Sequence, residues 1–144
     1  MRTLRGFHRG EGAQTLVEFA LVLPLFLLLV TGLFDVARAV WEENTLAYAA
    51  REGTRYAIVH GSGAALPLGP NDPAEPNISQ VVRNAAVGVP GITIVTAWPD
   101  GNNERGMRVS VDATSQFVPL PSQYLLGSIF QITLKGGSML VIQQ

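Results

Sequence analysis

Residues 14–34 read QTLVEFALVLPLFLLLVTGLF, apolar on every face of a helix, with one acid, Glu18, at the entrance. From Phe19 to Phe34 no residue carries a charge. At 1.5 Å per residue these sixteen residues span about 24 Å, a little short of a ~30 Å hydrocarbon core. Leu16 and Val17 complete the span, so the membrane part is expected at about 16–34. Pro24 inside the run removes a backbone donor and crowds the Ala20 carbonyl, which predicts a bend or local melting in a lone helix. Helical spacing continues beyond the run. Asp35 to Val59 holds no proline, and Val36, Val40, Ala47, Ala50, Thr54 and Ile58 recur on one face, with Arg38, Glu42, Arg51 and Arg55 on the others. The pattern predicts one helix from Gln14 to Val59, roughly 70 Å long, or two shorter helices hinged near Gly53.

The pattern then changes. His60–Pro76 is rich in glycine and proline and reads as loop. Asn77–Val87 predicts a short helix, with Asn77 as N-cap, Ile78, Val81, Val82, Ala85 and Ala86 on its apolar side and Gly88 as its stop. Ile92–Trp98 and the alternating Met107–Asp112 predict a hairpin across a turn at Pro99–Gly106. Phe117–Gly127, with two prolines, reads as loop or a helical turn. Phe130, Ile132 and Leu134 alternate as a further strand, with a bulge at Gly136-Gly137 before it resumes through Met139–Ile142. The fold class expected is α+β: a long membrane-inserting N-terminal helix with a small antiparallel β-sheet head at 60–144.

Charge gives the helix a direction. Arg2, Arg5 and Arg9 precede the apolar run, while Asp35, Glu42 and Glu43 follow it. The basic side predicts a cytoplasmic N-terminus and an extracytoplasmic C-terminus, in a single-pass membrane protein. Trp41 and Tyr48 lie just past the run. Either an interfacial belt or contacts to the head would account for Trp41, and contacts are expected for Tyr48. The net charge of −1 leaves no global footprint for nucleic acid. Without cysteine, and with only His8 and His60, there is no thiolate zinc site and no metal-ligand spacing. No nucleotide-binding glycine loop or hydrolase serine elbow occurs. Asp100-Gly-Asn-Asn-Glu104 has the look of a calcium loop but lacks its glycine and closing glutamate, and reads better as a polar turn. The expectation is therefore a non-enzyme, with no catalytic residues, metal, cofactor or small-molecule substrate.

A carboxylate at the edge of a membrane helix is tolerable where it meets a cation, or where it reaches back to water. On the residues alone these readings of Glu18 weigh equally. Two export readings also compete. In one, Ala37-Arg38-Ala39 mimics the cleavage site of an ordinary signal peptide, although Asp35 and Arg38 crowd it with charge. In the other, a basic leader at 1–13 is removed and the apolar segment stays as the N-terminal helix.

RGEGAQTLVEFALVLPLFLLLVTGLFDVARAV followed by AAREGTRYA resembles the TadE-like family, pilin-like proteins of tight-adherence (Tad) pilus systems. The matching positions are Ala13, Glu18, Phe19, Pro24, Asp35, Ala50, Arg51, Glu52, Gly53 and Tyr56. The resemblance is strong over residues 10–59. It implies a pilin-like fold, divided into a leader (1–13), a long helix (14–59) and a head (60–144). It also implies cleavage by a prepilin peptidase around Gly12, Ala13 and Gln14, at Gly12–Ala13 or Ala13–Gln14. Glu18, Phe19 and Pro24 would then set helix registry and assembly, with Glu18 meeting the new α-amine. The implied role is a minor pilin, with the membrane, the peptidase and other pilins or Tad assembly proteins as partners, and a place in an extracellular pilus after processing. The alternative is an uncleaved, single-pass envelope protein whose outer domain binds another protein.

Overall fold

The computed structural model describes residues 8–70, 75–125 and 127–144, and Arg2, Arg5 and the first half of the expected leader lie outside them. One helix, α1 (His8–Ile58), dominates. Its 51 residues correspond to about 75 Å, far more than the head can cover. It begins six residues before Gln14 and runs unbroken through Pro24 and Gly53. The local melting considered at Pro24 and the break into two helices near Gly53 therefore give way to one continuous helix. From Gly12 to Leu29 every residue is exposed, and among the described residues α1 is the one helix long and apolar enough to cross a membrane.

The second half of α1 is the spine of the head. After α1 come α2 (Glu75–Ala85), β1 (Thr93–Ala97), β2 (Arg108–Phe117), α3 (Leu120–Leu125) and β3 (Ile132–Val141). The strands form an antiparallel meander ordered β1-β2-β3. β2 carries the alternation that builds the core, with Val109, Val111, Ala113, Ser115 and Phe117 buried and the intervening residues turned outward. α1 meets the sheet with Leu46, Ala49, Ala50, Thr54 and Ala57, and α2 adds Ile78 and Val82. Asp35, Glu42 and Leu46 lead into this stripe at helical spacing. Val36 and Val40 do not share it and stay 63% and 53% exposed, so the expected core face was out of phase at its start. Apolar character alone pointed to the valines, whereas the buried face begins with two acids.

Small residues decide how closely the layers approach. A Cβ at Gly136 would lie on the α1 backbone at Leu46 and Ala47, so β3 crosses the helix where it has no side chain. Gly136 and Gly137 pair in regular register with Ala113 and Asp112. The bulge expected there is absent; the glycines serve helix contact instead. At Gly53 an added Cβ would fall 2.5 Å from Val82 Cγ2, which is how α2 packs down on α1. The AREG glycine thus has a packing role.

Boundaries shift for local reasons. α2 starts at Glu75, so Asn77 lies inside it rather than capping it. Gly88 does take a left-handed φ of 80° just past the helix, and the Trp41 ring lies against it, while Tyr48 remains half exposed. β2 extends to Phe117 because β3 pairs along its whole length, from Arg108↔Val141 to Phe117↔Ile132. The turn before β2 is pinned by Asp100, whose carboxylate takes the Arg108 guanidinium (Nη2 2.6 Å, Nε 3.1 Å) and backbone N–H (2.8 Å). These bonds hold its carboxyl down at about 2. Asn103 donates to the Leu68 carbonyl at 3.0 Å and clips the preceding loop to this turn. The residues of the calcium-like segment are thus engaged in turn and loop contacts.

The close crossing at Gly136 makes a prediction. Gly136→Ala meets helix backbone that has no room to yield, and is expected to destabilise the head by about 3 kcal/mol. Denaturant unfolding of the detergent-solubilised protein measures this; an unchanged midpoint would show that β3 does not rest on α1.

Candidate functional site

Functional residues expected from the sequence fall at two stations along α1. The first is the exposed stretch Gly12, Ala13, Gln14, Glu18, Phe19 and Pro24. Among the described residues it stays exposed, and Pro24 is the one that faces α3 across a groove. Glu18 accepts a hydrogen bond of 3.0 Å from Gln14 Nε2, one turn back, and no cation among the described residues pairs with it. Both candidate scissile bonds lie in helical backbone. Further along, the Thr31 hydroxyl donates to the Leu27 and Leu28 carbonyls (2.9 and 3.0 Å), which satisfies its hydroxyl within the apolar run.

The second station stands where α1 leaves the apolar run. Asp35 is buried, and its Oδ2 accepts the N–H of Leu120 at 2.8 Å. This is a capping bond delivered across the chain to the first residue of α3, since the local sequence Val118-Pro119 offers no side-chain cap. Arg38 binds the junction together. Its guanidinium lies 3.7 Å from Asp35 Oδ1 and 3.9 Å from Glu42 Oε1, donates to the Val118 carbonyl at 3.2 Å, and covers the Phe117 ring at 4.8 Å. Glu42 is itself buried, and burial pushes its carboxyl up from the ordinary value, with Arg38 pulling it back down. This clasp joins α1 to the end of β2 and the start of α3.

Of the expected motif residues, Asp35 makes a long-range hydrogen bond and Gly53 a close approach to α2, while Ala50 is buried and Tyr56 packs against the core. Glu52 pairs with Arg55 at 3.0 Å on the helix surface, and Arg51 is exposed. Tyr56 stacks on His60 with ring centroids 4.1 Å apart. Arg38 and Glu42 were expected on outward faces. The signal that places them with Asp35 is the spacing i, i+3, i+7 of alternating charge just beyond an apolar run, in phase with Leu46. Ser122 was also missed. Buried in α3, its hydroxyl lies 3.0 Å from the Phe130 N–H, which donates to it, and 3.2 Å from the Phe130 carbonyl.

The clasp predicts the effect of Asp35→Ala. Losing the Leu120 cap should cost about 1–2 kcal/mol and speed amide exchange across Leu120–Leu125, with Asp35→Asn milder because it keeps an acceptor. Hydrogen exchange by mass spectrometry reads this directly, and unaltered exchange in α3 would refute the cap.

Residues 13–55 match the family model described as TadE-like protein. The match starts at one candidate cleavage residue and covers Glu18, Phe19, Pro24, Asp35 and the Arg51-Glu52-Gly53 triplet. It therefore spans α1 almost entirely and leaves α2, the sheet and α3 outside. No curated protein and no solved structure matches the chain. Over residues 13–55, the helix that carries both stations, the chain is similar to the family described as TadE-like protein.

Proposed function

We propose that the protein is a minor pilin-like component of a Tad-type pilus assembly system, with a structural rather than catalytic role. A prepilin peptidase would remove the leader at Gly12–Ala13 or Ala13–Gln14. The exposed half of α1 would hold the subunit in the membrane, N-terminus cytoplasmic and head outside, and then pack against other pilins or Tad assembly proteins. The observation that carries this reading is the family match over a helix whose apolar half the head leaves bare. Glu18 is the element of registry. It stands on that bare half with a neutral Gln14 as its partner, so its charge is available to the α-amine that cleavage would create about one turn away. The head would present the variable surface, in a filament or in the assembly complex.

One observation favours the alternative of an uncleaved, single-pass envelope protein with an outward protein-binding domain. Both candidate bonds are helical, and a peptidase needs its substrate locally unwound. N-terminal sequencing of protein isolated from cells separates the readings: Ala13 or Gln14 first is the result expected, and an intact Met1 would establish the anchored form. Glu18→Ala should leave membrane insertion unchanged while abolishing incorporation into pili, scored by fractionation and by recovery in sheared filaments. Wild-type incorporation of that variant would sink the registry role.

A further inference from the structure

The longest stretch of this chain without a charged residue is not the membrane run. It is Ala113–Leu134, 22 residues that hold the end of β2, α3, the following loop and the start of β3. Its tip is strongly apolar and bare. Tyr124 is 77% exposed, Ile129 76%, and Phe130 and Ile132 more than half. A soluble head rarely leaves such a cluster to water.

Its place in the fold explains the composition. α3 packs alongside the apolar part of α1. Between them lies an open groove of about 370 Å³, with Pro24, Leu27 and Leu28 on one wall and Leu120, Pro121 and Tyr124 on the other. Leu27 and Pro24 sit eight and eleven residues before Asp35, roughly 12 and 16 Å down the helix axis. If α1 spans a bilayer, Leu27 lies within the hydrocarbon of the leaflet on the head's side and Pro24 near the midplane.

Backbone polarity, the usual obstacle to a loop at that depth, is answered internally at several positions. The Leu120 N–H goes to Asp35, and Pro119 and Pro121 have no N–H to satisfy. Gln123 N–H donates to the Pro119 carbonyl, Ser128 N–H to the Ser122 carbonyl and Phe130 N–H to the Ser122 hydroxyl.

We propose that α3 and the loop at 127–131 form a membrane-seated flap, immersed in the head-side leaflet, and that the groove between this flap and α1 is occupied by a lipid acyl chain. The occupant follows from continuity: one wall of the groove is the membrane segment itself, so what surrounds that segment at that depth also fills the groove. The inference rests on the reading of α1 as a spanning helix and adds a second point of contact to it. With two contacts on one side of α1, the head is held in a fixed rotational setting against the membrane.

The absence of cysteine permits a direct test. Single-cysteine variants of the full chain, Leu27→Cys, Tyr124→Cys, Ile129→Cys and Arg105→Cys, are nitroxide-labelled and reconstituted in phosphatidylcholine vesicles. Accessibility to oxygen is compared with accessibility to a water-soluble nickel chelate. The expected result is oxygen-favoured labels at 27, 124 and 129 and a nickel-favoured label at 105. An oxygen-favoured 27 with nickel-favoured 124 and 129 would overturn the flap while leaving the spanning helix intact. A nickel-favoured 27 would overturn the spanning reading and the flap with it. Diluting the protein in lipid should change nothing; spin–spin broadening at 124 that fades on dilution would make the occupant a second copy of the chain and overturn the lipid.

Discussion

The approach of β3 and α2 to the backbone of α1 sets the geometry of everything outside the apolar run. A strand can cross a helix this closely only where the strand has no side chain to place between them, and Gly136 over the Leu46–Ala47 backbone supplies that absence. Gly53 does the same for α2, and Ala49, Ala50 and Ala57 keep the rest of the face low. The head therefore needs few large side chains. Its core is mostly valine, alanine, leucine and isoleucine drawn onto one helical stripe. Burial of that stripe, rather than helix propensity, holds the outer half of α1 in place.

Where the stripe ends, charge takes over from packing. Asp35, Arg38 and Glu42 occupy the turns between the apolar run and Leu46, and they do with hydrogen bonds and ion pairs what the alanines do by contact. Buried acids are costly unless compensated. Asp35 is compensated in part: Oδ2 takes the capping bond, while buried Oδ1 has no hydrogen bond and faces the Arg38 guanidinium at 3.7 Å, and the arrangement ties α3 to α1. The same three residues that separate the membrane part from the head in sequence join them in space.

Much of this could be read along the chain. Periodicity gave the long helix, the hairpin and the third strand, because each rests on local alternation that tertiary contacts reinforce. It failed where tertiary contact decides alone. The phase of the buried face at Val36 and Val40 depends on which elements dock there, and acids are not expected to lead a core stripe. Gly136-Gly137 carries the same local signature whether it bulges or lies under a helix. The motif residues were legible as a set, through family likeness, but their duties were not: Gly53 is a packing site, Asp35 a cap delivered over 85 positions, and Glu18 stands free of the head.

The unbroken course of α1 has a mechanical consequence. With no linker between the apolar segment and the head, the two have no slack relative to each other. A displacement of the helix along its axis carries the head the same distance, about 1.5 Å for each residue drawn past a fixed point. A rotation of the helix by one residue swings the head by about 100° around that axis. Whatever grips the bare end of this rod therefore controls both the height and the bearing of the head, as a shaft controls the bit fixed to its end.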